Sequence, residues 1–306
     1  NINVNIKNAI YWFLPELLTT AKDAIKAQIE SDKFVNLYLP DKIDSFIKMR
    51  ESGVPDDEVS IAILNDDVDS LQIIMNSHPS LTNIIPFNLF DFFAENGQNT
   101  YINYAAMNGS IKCFKYLLLN HHELDGFSFC YAVFGGNVEI IRIVDQYCST
   151  NDIKVNYKFS SDDYYTRMHN EYRFCGFSQD PEEKEPIKSP IIPAIMKHQN
   201  DLFDWILEHK YIKNGITGNN LYDIAYIATL NGNAHAFIQC VDKGLDLSSL
   251  STGEISRLLE SSSSYGFYKI TQLIISLLST KQLKNDLNFI LRLENSVYYG
   301  NLSLVK

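Results

Sequence analysis

Tyr101-Ile-Asn-Tyr-Ala-Ala-Met-Asn-Gly-Ser-Ile-Lys-Cys-Phe-Lys-Tyr-Leu-Leu-Leu-Asn120 reads as a short helix, a break at Asn108-Gly109, and a second, amphipathic helix. Gly109 serves as an anchor. Ala105 lies four residues before it, Phe114 five after it, and Leu117 and Leu118 follow. The same order recurs at Gly136 with Ala132, Ile141 and Val144. It recurs at His198 with Ala194, Phe203, Ile206 and Leu207, and at Gly232 with Ala228, Phe237, Cys240 and Val241. Gly266 has Ser262, Thr271, Ile274 and Ile275, and Gly300 has Ser296 and Val305. A degenerate early copy sits at Asp66 with Ala62, Leu71, Ile74 and Met75.

The spacing turns these copies into a repeat. From 198 to 232, 232 to 266 and 266 to 300 the interval is 34 residues each time. A period of this size with helix-turn-helix grammar fits ankyrin-type or tetratricopeptide-type arrays. The inter-helix turn carries Gly, commonly beside Asn, which permits a left-handed residue and a tight antiparallel return. The Ala or Ser before it sits where a larger side chain would push neighbouring repeats apart. The tetratricopeptide landmarks of Trp, Gly, Tyr and Pro are missing.

Thr100-Tyr-Ile-Asn-Tyr-Ala-Ala-Met-Asn-Gly-Ser-Ile resembles the ankyrin opening, Thr-Pro-Leu-His-x-Ala-Ala followed by Asn-Gly-His. Asn137-Val-Glu-Ile-Ile-Arg looks like the start of its second helix. Ala105–Asn120 more narrowly resembles divergent ankyrin-like repeats of unknown function, abundant in trichomonads and amoebae. The resemblance spans roughly residues 57–306. Tyr101 stands in place of Pro, Asn103 in place of His and His198 in place of the turn Gly, so the Thr–His pair of the family is lost. The fold it implies is all-α, an ankyrin-like helix-turn-helix repeat solenoid.

Residues 1–56 carry three helical segments without the repeat pattern and read as an N-terminal helical cap, because a stacked array must cover its open ends. The array, 57–306, is irregular in two places. The interval from 66 to 109 is 43 residues, and that from 136 to 198 is 62, with no clear repeat inside it. There the segment 151–189 is first aromatic, with Tyr157, Phe159, Tyr164 and Tyr165 among others, and then acidic, with Asp180, Glu182, Glu183 and Glu185. It reads as a degenerate repeat or an enlarged finger, or else as an aromatic contact surface. The last segment, Gly300–Lys306, stops inside an expected second helix, so the natural chain is expected to continue.

Composition narrows the function. A formal charge of −11 argues against nucleic acid, which selects a basic footprint, and against anionic membrane surfaces. No apolar run approaches the ~20 residues of a membrane span. Five scattered cysteines without a Cys-x-x-Cys suit a reducing compartment, so a cytoplasmic location is expected.

Chemistry-bearing residues do not converge in the sequence. His121-His122 are adjacent, and His198 and His209 are eleven apart, neither being the spacing of a helical metal pair. Cys113, Cys130 and Cys240 fall at helix packing positions, where thiols are inert. Ser261-Ser-Ser-Ser264 reads as the small positions of an inner helix, with Ser262 buried. No catalytic, cofactor or metal residues are assigned, and no small-molecule substrate is expected.

The expected function is a non-catalytic scaffold or adaptor that binds a protein partner through its concave inner-helix and finger surface. The alternatives are a structural subunit of a larger assembly or the regulatory arm of a longer protein. Candidate partner-binding residues are Tyr101, Asn103, Phe127, Tyr131, Tyr164, Tyr165, Asn220 and Tyr222. The acidic stretch 179–188 is expected to be exposed. Its deletion should leave the melting temperature nearly unchanged in a thermal scan, and a large drop would refute that placement.

Overall fold

A computed structural model describes residues 57–78, 84–85, 100–155, 189–211 and 218–278, together with Phe13, Glu16, Thr20, Ile47 and Glu51. The expected cap at 1–56, the contact residues Tyr164 and Tyr165, the acidic stretch 179–188 and the copy at Gly300 lie outside these residues, apart from the five isolated positions. The chain divides into two compact units, Asn1–Leu124 with Thr166–Pro186, and Asp125–Tyr165 with Ile187–Lys306.

The described secondary structure of both units is helical. Among the described residues, the first unit has two helix pairs: α1 (Glu58–Leu64) with α2 (Val68–Ser77), and α3 (Tyr101–Asn108) with α4 (Ile111–Leu119). Helix α1 packs on α3 and α2 on α4. A single antiparallel bridge joins Ile84 to Thr100.

Among the described residues, the second unit stacks four pairs. They are α5 (Ser128–Gly135) with α6 (Val138–Thr150), and α7 (Ile191–Met196) with α8 (Asn200–Ile206). Then come α9 (Gly218–Asn231) with α10 (Ala234–Asp242), and α11 (Thr252–Ser264) with α12 (Tyr268–Leu277). The inner helices α5, α7, α9 and α11 pack in that order, and the outer helices α8, α10 and α12 do likewise. Helix α5 lies directly against α7, so no helix pair separates them in the stack.

Every described anchor has the predicted left-handed backbone: Asp66 at φ 49°, Gly109 at 70°, Gly136 at 71°, His198 at 53°, Gly232 at 70° and Gly266 at 76°. Each closes an inner helix. In five pairs the N–H just after the anchor donates to the carbonyl of the small residue five positions earlier: Asp67 to Ala62, Ser110 to Ala105, Gln199 to Ala194, Asn233 to Ala228 and Phe267 to Ser262, at 2.8–3.0 Å. This is the six-to-one bond of a Schellman ending, and it satisfies a carbonyl the helix leaves open. All of these small residues, and Ala132, are buried. The side chains five positions after the anchors, Leu71, Phe114, Ile141, Phe203, Phe237 and Thr271, are buried as well. Each large apolar one contributes about 1.5–3 kcal/mol.

The turns also register one pair on the next. Where the anchor is Gly, the following pair fills the space above it. A Cβ on Gly136 would come within 2.5 Å of the Gln199 amide, and one on Gly232 within 2.5 Å of the Phe267 ring. Where the anchor carries a side chain, that side chain reaches forward. Asp66 Oδ1 accepts the N–H groups of Lys112 and Cys113 at 2.9 and 3.0 Å, capping α4, whose own Ser110 makes no side-chain cap. His198 Nε2 contacts the Asn231 carbonyl at 3.1 Å. These bonds help offset the ~1–2 kcal/mol of left-handed backbone at a non-Gly residue.

Asn233 works in both directions. Its Nδ2 donates to the Ile195 carbonyl of the preceding pair, and its Oδ1 accepts from Ala236 N–H, both at 3.0 Å and buried. Asn233→Ala should cost about 2 kcal/mol, since it removes an N-cap and strands a buried carbonyl. Urea titration of the variant checks this, and a loss within experimental error would show that the neighbouring pairs are registered by other contacts.

Candidate functional site

The inner helices α3, α7 and α9 have almost no open face. Every residue of α3 from Tyr101 to Met107 is buried, as is every residue of α7 from Ile191 to Ile195. In α9 the run Leu221–Leu230 is buried except at Asp223. A helix that is apolar all round is enclosed on all sides. The outer helices differ. Helix α6 buries Ile140, Ile141, Val144 and Cys148 along one stripe and turns its remaining faces outward.

The candidate contact residues divide accordingly. Tyr101, Asn103 and Tyr222 lie inside the stack, at 1, 3 and 6 % exposure, and do not present a surface. Burial, with the Asp57 carboxylate nearby, pushes the Tyr101 phenol well above its usual range. Thr100 caps α3 by accepting from Asn103 N–H at 3.4 Å, which replaces the missing Thr–His arrangement. Phe127, Tyr131 and Asn220 are half-buried.

The cysteines are packing residues. Cys113, Cys130, Cys148 and Cys240 are buried free thiols. Burial, aided by the charge of Asp66, pushes the Cys113 thiol up to about 12, and burial likewise raises the other three. Thiolates are disfavoured at all four positions. Ser261, Ser262 and Ser263 are buried, and each donates to the carbonyl three residues earlier. Thr271 Oγ1 adds a bond to Ser262 Oγ at 2.9 Å.

Two lysine–carboxylate ion pairs and a His–Asp contact stitch the outer layer of the second unit. Lys210 reaches Asp145 at 2.6 Å, His235 reaches Asp204 at 2.9 Å, and Lys243 reaches Glu208 at 2.9 Å. Lys210 stands in a π-helical turn, Leu207–Tyr211, that continues α8. That turn also places the Tyr211 hydroxyl against that of Ser189 and stacks His209 on Trp205.

Between α6 and the start of α8 lies a cleft of about 690 Å³. Val138, Ile141, Leu202 and Trp205 form its apolar part. Arg142, Asp145 and Asp201 give it charge, and the amides of Gln199 and Asn200 line it at the turn. Sequence reading missed this cleft. Trp205 occupies an ordinary outer-helix position, and only the direct stacking of α5–α6 on α7–α8 brings it opposite Val138.

Set against known proteins, the chain is similar in structure to the human ASB11 ankyrin repeat domain, at 11% identity, covering 72% of this chain and 82% of that one, with a TM-score of 0.42. No protein-family model matches the chain, and no curated protein matches it in sequence.

His121 and His122 separate as their adjacency suggested. His121 is exposed in a left-handed turn, while His122 is buried with its Nδ1 lacking a hydrogen-bond partner. Burial lowers the His122 pKa. The folded state therefore favours the neutral ring, and its contribution is complete above the ordinary imidazole range near ~6.5 and is lost as pH falls below it. His122→Phe should flatten the fall in urea midpoint between about pH 7.5 and about pH 5. An unchanged slope in those titrations would assign the acid sensitivity to other groups.

Proposed function

We propose that this chain is a non-catalytic protein-interaction module of the ankyrin-like repeat type, working in a reducing, cytoplasmic environment. The observation that carries this reading is the stack of helix pairs, whose outer helices hold large apolar side chains in solvent. Val138 is 60% exposed, and Ile73, Leu119 and Ile238 are exposed as well. Such side chains are common singly on any surface, but here they recur on four outer helices of a repeat stack. The four buried free thiols fit a compartment that keeps cysteine reduced.

Of the residues proposed for the contact, Phe127, Tyr131 and Asn220 keep partial access to solvent and stand on the inner-helix side of the second unit. Net charge of −11 favours a basic partner surface during encounter. The triple variant Phe127→Ala, Tyr131→Ala, Asn220→Ala should release a partner captured from native cells by the immobilised chain, with circular dichroism unchanged. Retention of that partner would move the contact off these residues, and failure to capture any protein reproducibly would defeat the module reading.

A further inference from the structure

We propose that the cleft between α6 and α8 is a docking site for an extended peptide segment of a protein partner, one that places a basic side chain beside an apolar one. The proposal rests on the interaction-module reading and gives it a second, specific surface on the outer helices.

Three observations converge. The first is size and lining. A volume of about 690 Å³ falls in the range of sites that enclose a ligand and is too large for a packing defect. Val138, Ile141, Leu202 and Trp205 offer it apolar surface, and a half-buried Trp in a cleft is the residue type on which interface energy concentrates.

The second is unmet hydrogen bonding at the cleft. Gln199 Oε1 and Asn200 Oδ1 are buried without a hydrogen-bond partner. Each such oxygen costs free energy, and side-chain amides turn easily about their last torsion. A peptide backbone supplies the N–H donors that these two oxygens lack. Arg142, exposed and lining the cleft, can donate to a peptide carbonyl at the same site.

The third is charge. Asp145 is already engaged by Lys210, whereas the exposed Asp201 carboxylate has no partner among the described residues. Asp201 is therefore the carboxylate of the cleft left to receive a lysine or arginine, and the chain's net charge of −11 favours encounter with a cationic segment. The Trp205 ring already stacks on His209 and lies 5.3 Å from Lys210 Nζ, so its half-buried surface serves the apolar neighbour of that side chain.

Selection of short linear peptides displayed on phage against the intact chain tests the site. Enriched peptides should carry Lys or Arg next to a Leu, Ile, Phe or similar residue. Their synthetic forms should bind Trp205→Ala and Asp201→Lys at least about tenfold more weakly by fluorescence anisotropy, the level expected of a central contact. Asp201 is exposed, so Asp201→Lys is expected to keep the wild-type melting curve and holds the test if Trp205→Ala fails to fold. Peptides that bind both variants as they bind the wild type would overturn the cleft as the site while leaving the module reading intact. Enrichment of acidic peptides, or no enrichment at all, would also overturn it.

Discussion

The structure depends on a backbone constraint met six times: a residue held in the left-handed region where an inner helix must stop and the chain must reverse. Once that residue is set, the next N–H falls under the open carbonyl of a small residue one helical turn back, and the second helix starts in the right direction. The small residue has to be Ala or Ser because the same position packs inside the stack. Local turn chemistry and long-range packing therefore act on the same few residues. This explains why Ala105, Ala194 and Ala228 are each fully buried and each bonded through their carbonyls.

Asp66 and His198 show how the constraint tolerates substitution. Left-handed backbone is unfavourable for both, yet each uses its side chain to bind the following pair. Glycine anchors make the opposite bargain, leaving a gap that Gln199 or Phe267 fills from the other side. The two solutions share one result, which is that each turn touches the next. In a stack where pairs contact only their neighbours, such contacts set how cooperatively the array folds.

Much of this was legible in the sequence because the turn leaves a compact signature. Ala at minus four and an apolar residue at plus five located Asp66 and His198 as anchors without any glycine to mark them. The open or closed state of the inner helices was harder to see. Tyr101 and Asn103 lie in the first turn of α3 and Tyr222 in the second turn of α9, and their residue types suit a contact surface as well as an enclosed one. The apolar character of Ile102 through Met107, broken only at Asn103, was the available hint, since a helix with an open groove face needs polar positions at regular intervals. The capping of α4 was illegible for a different reason. Ser110 looks like the cap, but the oxygen that does the work belongs to Asp66, in another helix pair.

The direct contact of α5 with α7 has a consequence for how this architecture can vary. Chain entropy charges only about 0.6 kcal/mol for each doubling of a loop whose ends are already held together. Around the two ends at Val155 and Ser189, α5 packs on α7 and Lys210 pairs with Asp145. By that entropy rule, a change in the number of residues joining those two ends carries a small closure cost beside the packing that brings α5 to α7.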